Sequence, residues 1–459
     1  MENYLTVREI FESVASSNIE DGYKVCIDGW IKKNRDFGNV GFIDFNDGTC
    51  FKNAQLVYNE VTSNFDEVSH LKLGSAVTIY GEIHLTPDQK QPFEIVLSKV
   101  ELVGGVQDGF PLQKKKTSFE YLRTLPHLRP RTNTFKAVFR VRSVLSFAIH
   151  EFFQGEGFVY VHTPILTSND CEGAGEAFKV VTDIKKPTSY FGKDVGLTVS
   201  GQLHVEPFAM AFRDVYTFGP TFRAEKSNTT HHASEFWMVE PEIAFADLYD
   251  DMDLIQDFLK YIVRYVMENC KDEIEFFNSM IDSSLKERLQ SFIDKPFNVL
   301  EYTDAIDMLI KAKEEGHKFD NENIFWGMDL QSEHERYLTE KVFNGPMFLI
   351  NYPKDIKAFY MKQNDDGKTV AACDLLVPGI GELVGGSERE VDFDKLKARI
   401  EELGMDEENY EWYLDLRRYG GCPHAGFGLG FERMMQFVTG MANIRDVEAY
   451  PRSFKEIMY

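Results

Sequence analysis

The stretch from Phe218 to Phe245, FGPTFRAEKSNTTHHASEFWMVEPEIAF, constrains the fold more than any other. Two runs in which apolar and polar residues alternate flank a loop of Asn228, Thr229, Thr230, His231 and His232. A period of two on both sides of a polar loop is the pattern of a β-hairpin, so the chain must build an antiparallel sheet there. The hairpin also carries charge. Arg223 ends its first strand, and Glu235, Glu240 and Glu242 lie on or beside the second, among Phe236, Trp237 and Met238. Charges on a half-buried apolar sheet are costly unless they pair with one another or meet a ligand. The hairpin alone leaves both readings open, internal ion pairs or a bound ligand.

With 459 residues the chain suits two or three domains. Residues 1 to about 20 show helical spacing, with Leu5, Ile10, Phe11 and Val14 on the apolar face. Five short strand patterns follow: KVCIDGWIKK, VGFIDFND, AQLVYN, SAVTIYGEIHL and PFEIVLSKVELV. Their close spacing predicts a small OB-type barrel over residues 1–105. Lys32, Lys33, Arg35 and Phe37, with Phe42 on the next strand, interleave basic and aromatic side chains, as single-stranded nucleic acid requires. Phe42 reads equally well as barrel core. Residues 106–131, with a lysine run and several prolines, are expected to be a linker, and a larger domain is expected over 132–459.

That second domain opens with a long amphipathic helix, on which Phe135, Val138, Phe139, Leu145, Ile149 and Phe152 recur at helical spacing until Gly155 and Gly157. FVYVHTPIL reads as a strand with Pro164 at an unbonded position. CEGAGEAF is a glycine-rich loop, and LTVSGQLHVEPFAMAF passes from strand to helix. After the hairpin, residues 246–270 form a strong helix, and 271–345 read as a peripheral helical segment with no assignable chemistry. MFLINYP and AACDLLVP are strands, and HAGFGLGFERMMQFVTG runs from strand to helix. The expected class is α+β, a largely antiparallel sheet with helices outside. There is no Walker loop and no GxGxxG, and the GFGLG run is a weak signal alone.

A net charge of −24 argues against non-specific binding to nucleic acid. One basic run stands against it: nine positive residues and a single acid, Glu120, lie between Phe110 and Leu145, a net of +8. For Lys114–Lys116 a solvated face and contact with a polyanion are equal readings. The six cysteines are scattered without metal spacing, which fits free thiols in a cytoplasmic protein. No apolar run reaches the ~18 residues needed to span a membrane, and the acidic start has no signal-peptide pattern.

Three separated stretches resemble one family. VYVHTPIL is similar to motif 1 of the class II aminoacyl-tRNA synthetases, FRAEKSNTTHHASEF to motif 2 and GLGFER to motif 3. A barrel ahead of such a core resembles the subgroup of aspartyl, asparaginyl and lysyl enzymes. VSGQL, TFGPTFRAE, EFWMVEPE and ELVGGSERE resemble the asparaginyl members most. The resemblance implies an antiparallel catalytic sheet, a homodimer, and the use of ATP and Mg2+. It also implies two steps, activation of L-asparagine to an adenylate and its transfer to tRNA(Asn).

The resemblance further assigns roles. Activation is an in-line attack on the α-phosphate, so the protein must supply positive charge and positioning rather than a nucleophile. Arg223 would hold the α-phosphate with its planar fork, and Arg433 the γ-phosphate, with glycines such as Gly430 admitting the nucleotide. Phe236 would stack on adenine and Glu225 would accept from its amino group. His231 stands where the family commonly has an arginine; it and His232 are the candidates for the phosphate contact there. Asp374 and Glu382 match the Mg2+ carboxylates. For the amino acid, Glu172 and Gln202 would bind the α-amino group, Glu240 the amide NH2 and Arg389 the side-chain carbonyl. Aspartyl enzymes have a lysine where this chain has Val205, so a cation that would favour an anionic side chain is missing. Phe42 and Gln55 match residues that read the anticodon's middle uridine.

Overall fold

The computed structural model describes residues 3–113, 117–169, 171, 177–227 and 229–459. The chain divides into two compact units, Met1–Ala137 and Val138–Tyr459.

The first unit is a closed barrel. After a two-residue strand β1 (Asn3–Tyr4), a helix runs from Val7 to Ala15. Its start is a reciprocal cap: the Thr6 hydroxyl accepts from the Glu9 N–H, and the Glu9 carboxylate accepts from the Thr6 N–H at 2.7 Å. Five longer strands follow: β2 (Tyr23–Asp36), β3 (Val40–Asn46), β4 (Ala54–Asn59), β5 (Ala76–Leu85) and β6 (Phe93–Gly104). Strand β2 pairs with both β3 and β5, while β6 pairs with β4 and β5, so the sheet closes on itself. Ile27, Ile31, Ile43, Phe45, Leu56 and Ile79 fill the interior with Val7 and Ile10 of the helix. Because alternate residues face opposite sides, the inward Ile43 and Phe45 put Phe42 and Asp44 on the outside. Phe42 is therefore not barrel core.

In the second unit one eight-stranded sheet dominates. It contains β7 (Val159–Tyr160), β10 (Asp214–Phe222), β11 (Glu235–Ala244), β12 (Asn298–Glu301), β13 (Met347–Pro353), β14 (Thr369–Val377), β15 (Gly381–Glu388) and β16 (His424–Gly430). A separate two-stranded piece pairs β8 (Leu166–Thr167) with β9 (Gly196–Leu197). The sheet order is β12-β13-β14-β15-β16-β11-β10-β7. The six inner strands are antiparallel, and only the edge pairs β12–β13 and β10–β7 are parallel. The expected hairpin is β10–β11, with Phe222 opposite Glu235.

Two segments differ from expectation. FVYVHTPIL is not one strand: pairing stops after Tyr160 and resumes at Leu166, with Pro164 in the irregular stretch between. A proline has no N–H to continue a ladder, so it divides the run instead of sitting on its edge. Residues 271–345 contain helices, as read, but also β12, which extends the main sheet beside β13. Four residues, Asn-Val-Leu-Glu, are too few and too irregular in pattern to stand out among helices.

The basic run near residues 110–145 is largely engaged inside its own units. Arg129 is fully buried, with its guanidinium 4.3 Å from the Phe135 ring centroid. Lys136 Nζ donates to the Phe51 carbonyl at 3.1 Å, and Arg142 Nη2 to Glu432 at 2.6 Å. Lys114–Lys116 lie outside the described residues. No described helix is long and apolar enough to cross a membrane.

Candidate active site

Alternation along β11 places Phe236, Met238, Glu240 and Glu242 on one face. Across from them, Glu242 pairs with Gly426 and Met238 with Gly430 on β16. Glycines line that face of β16, and at Gly426 and Gly428 nothing larger fits. A Cβ on Gly426 would overlap the Pro241 carbonyl oxygen and come within 2.5 Å of the Glu242 carboxylate. One on Gly428 would sit 2.7 Å from Met238 Cε. The GFGLG run is thus a cleared floor beneath charged side chains.

At one end of this floor the charges are deeply buried. Glu240 is 4% exposed; one carboxylate oxygen accepts from the Ser200 hydroxyl and the other from the Gly201 N–H at 2.8 Å. Gln202, at the start of the helix Gln202–Phe212, donates its amide to Glu206 at 3.0 Å. Arg389 is 2% exposed. Its Nε and Nη2 donate to Glu242, and its Nη1 donates to Ser387 Oγ at 2.6 Å. Three of a guanidinium's five N–H groups are so committed, and one on each terminal nitrogen remains. Burial lifts the Glu242 carboxyl above its ordinary range, against the pull of Arg389.

Behind these residues lies a network absent from the sequence reading. Glu206 is wholly buried and accepts from Tyr413 at 2.8 Å, His424 at 3.1 Å and Arg417 at 3.3 Å. Burial alone would raise its carboxyl. The His424 bond and the charges of Arg417, His424 and Arg389 outweigh burial and hold it well below the usual range. Glu206, Glu242 and His424 have the spacing of metal ligands, but arginines and Tyr413 already occupy their oxygens. The local hints of this network are two pairs spaced four apart on a helix, Gln202 with Glu206 and Tyr413 with Arg417. Val205 is fully buried against Val161, Ala209 and Val215. The absent lysine is therefore replaced by core packing.

Toward the other end the groups are more open. Arg223 follows β10 directly; its guanidinium lies 5.5 Å from the Phe236 ring centroid, and its N–H bonds the Ser234 carbonyl. Glu225 is 3.7 Å from His232 Nε2. His231 Nδ1 lies 3.4 Å from Gln436 Oε1. Burial pushes the His231 imidazole below its ordinary range, and the Arg433 charge adds to this against the Gln436 bond. Both effects disfavour the charged form of His231 beside Arg433. Arg433, on the helix that follows Gly430, donates to the Glu382 carbonyl at 2.7 Å and is 3.8 Å from its carboxylate. Asp374 and Glu382 stand on neighbouring strands. A Cβ on Gly385 would lie 3.5 Å from Asp374 Oδ1 and 3.2 Å from Glu382 Oε1, so the two carboxylates converge over that glycine.

Two further groups here escaped the sequence reading. Lys357 Nζ bonds Asp374 Oδ2 at 2.6 Å and lies 3.8 Å from the Tyr352 ring centroid. Glu335, from the segment 271–345, reaches the same place. Burial, then the charges of Glu382 and Asp374, push its carboxyl up to about 8. Lys357 comes from 17 residues before Asp374 and Glu335 from farther still, beyond the reach of any local spacing pattern. Glu172 and Asn228 lie outside the described residues. In the barrel, Phe42 sits 6.0 Å from Phe37 and 5.9 Å from the Arg35 guanidinium. Gln55, opposite Asp44 on the same outer face, donates to Glu94.

Comparison with known proteins places this arrangement. Residues 116–454 match the family described as tRNA synthetases class II (D, K and N), and residues 25–103 match the OB-fold nucleic acid binding domain. The chain is 57% identical to an asparagine–tRNA ligase of Acetivibrio thermocellus, over 94% of this chain and 95% of that one. A Bacillus cereus asparagine–tRNA ligase is 56% identical over the same shares. Among solved structures, asparaginyl-tRNA synthetase from Pyrococcus horikoshii in complex with asparaginyl-adenylate superposes with a TM-score of 0.88 at 35% identity, covering 100% of both chains. The chain belongs to the class II tRNA synthetases of the D, K and N type, and among them to the asparagine–tRNA ligase family.

Proposed function

We propose that this chain activates L-asparagine with ATP to asparaginyl-adenylate and transfers it to tRNA(Asn). The observation that carries the reading is Glu240, a carboxylate buried at the sheet floor and fixed by Ser200 and Gly201. A fixed carboxylate accepts from an amide NH2 and repels a second carboxylate, so it selects asparagine over aspartate. A site that bonds a substrate N–H can reject an analogue without it by factors of about 10⁴. Arg389 offers its remaining N–H groups to the side-chain carbonyl. Gln202 and Glu172 take the α-amino group.

Arg223 holds the α-phosphate and the attacking carboxylate together, and its place beside Phe236 supports adenine stacking on that ring. Glu225 accepts from the adenine amino group. Arg433 meets the γ-phosphate. His231, whose charged form its surroundings disfavour, contributes as a hydrogen-bonding group, and His232 stands beside Glu225. Asp374 and Glu382, hard oxygen donors converging over Gly385, fit Mg2+. When bound, the ion would neutralise phosphate charge. Phe42 and Gln55, on the outer barrel face with Arg35 and Phe37, read the anticodon. Residues 1–105, 106–131 and 132–459 then serve as anticodon domain, hinge and catalytic domain.

We place the enzyme in the cytoplasm as a homodimer. Six unbridged cysteines suit a reducing compartment. Exposed Phe147, Val159, Ile165, Phe212 and Phe245 supply apolar surface near the first motif. The test is pyrophosphate exchange with asparagine, aspartate and lysine in turn, repeated with tRNA. Exchange with aspartate but not asparagine would overturn the reading.

A further inference from the structure

Between Lys179 and Gly196 the chain leaves the second unit's core as an arm. Its stem is a short antiparallel ladder: Lys179 bridges Gly196, Val180 N–H bonds the Val195 carbonyl at 2.8 Å, and Leu197 N–H bonds that of Phe178 at 2.9 Å. Its tip is a series of turns closed by Lys186 N–H on Asp183, Ser189 N–H on Lys186 and Gly192 N–H on Thr188. Every residue from Val181 to Asp194 is exposed. Tyr190 is 71% exposed and Phe191 44%, their rings edge to face at 4.7 Å.

The charge of the arm opposes that of the chain. Lys179, Lys185, Lys186 and Lys193 face only Asp183 and Asp194, a net of +2 in a protein of −24. Among the described residues none of these four lysines forms an ion pair. The stem is rooted at the rim of the site. Two residues beyond Gly196, the Thr198 carbonyl accepts from Phe222 N–H at 2.8 Å, and Phe222 precedes Arg223. Ser200 and Gly201, which hold Glu240, follow directly.

We propose that this arm is a landing surface for the single-stranded 3′ end of the tRNA, whose bases stack on Tyr190 and Phe191 and whose phosphates meet Lys185, Lys186 and Lys193. The inference rests on the aminoacylation reading above. Exposed rings beside unpaired lysines are the two elements that single strands need, a stacking platform and positive charge. On a chain this acidic, a locally positive arm is also where a polyanion can approach at least cost. Its root lies beside Arg223 and Glu240, at the edge of the site that the end of a strand must reach.

The two steps of the reaction separate this surface from the pocket. Full-length Y190A/F191A and K185E/K186E, changed only at exposed positions, are assayed for asparagine-dependent pyrophosphate exchange without tRNA and then for charging of tRNA(Asn) over a range of salt. Exchange should stay within twofold of the parent. In Y190A/F191A, kcat/KM for tRNA should fall at least fivefold, the lower bound for one lost base stack. In K185E/K186E, the logarithmic salt dependence of tRNA binding should become shallower by about 1.4 for two lost phosphate contacts on a single strand. A tRNA lacking its single-stranded 3′ nucleotides should bind the parent and both variants alike. Unchanged charging in both variants overturns the proposal while leaving the enzyme assignment intact. Loss of exchange and charging together, with an altered sedimentation coefficient, assigns the arm to contact between copies of the chain and also overturns it. A parent protein that shows no exchange with asparagine overturns the assignment itself.

Discussion

Replacing Glu240 with glutamine isolates the step that separates asparagine from aspartate. The change keeps shape and leaves the pocket's supports in place. The Gly201 N–H can only donate, so the glutamine carbonyl must take that side. The glutamine NH2 then faces Ser200, whose hydroxyl can rotate to accept. What is lost is the negative charge that receives the substrate amide. A hydrogen bond to a charged group is worth about 1.5–3 kcal/mol, which at 1.36 kcal/mol per decade is roughly a 10- to 150-fold fall in kcat/KM for asparagine. For aspartate the sign reverses: repulsion from Glu240 disappears and an N–H donor takes its place, so its use should hold or rise. The ratio of the two specificity constants should therefore fall by at least about tenfold. The assay is pyrophosphate exchange with each amino acid, without tRNA. If E240Q keeps asparagine exchange within threefold of the parent and still excludes aspartate, Glu240 does not read the side chain and the pocket argument fails.

Three other outcomes follow from the geometry. F42A should raise the KM for tRNA(Asn), consistent with a lost stack of about 1–3 kcal/mol, and leave exchange untouched; unchanged charging would remove Phe42 from the anticodon reading. G426A should destabilise the protein in urea by about 1–3 kcal/mol, because the added Cβ meets the rigid Pro241 carbonyl. G428A should cost less, since Met238 can swing its end away, and equal midpoints would refute the cleared-floor argument. E206Q should cost on the order of 3 kcal/mol at neutral pH by breaking a buried ion pair. Because the folded-state carboxyl of Glu206 is depressed, its contribution is present above the ordinary value of 4.5 and lost as pH falls through the folded-state value. The stability gap between parent and E206Q should thus narrow below about pH 4.5, and a gap constant from pH 7 to pH 3 would contradict the network.

The sequence by itself determined most of the elements and their order, but not strand β12 or the break at Pro164. Period-two alternation with polar turns located five barrel strands and the β10–β11 hairpin, and 3.6-residue spacing located the helices starting near Asn133 and Leu248. These patterns are local: each records which face of a short segment must leave water. Charge on an apolar strand singled out Arg223 and Glu240 of the hairpin, while Asp374, Glu382 and Arg433 were named only through the resemblance to a known family. Tertiary structure alone decided which groups meet. Phe42 could face either side of the barrel until the register of β3 turned Ile43 and Phe45 inward. Val205 sat at the expected place, yet its side chain packs into core. Lys357 and Glu335 join Asp374 and Glu382 from separate segments, and Glu206 collects Tyr413, Arg417 and His424 from more than 200 residues away. Such partners share no period and no spacing, because the cost of burying a charge is met by whichever group the fold carries within reach.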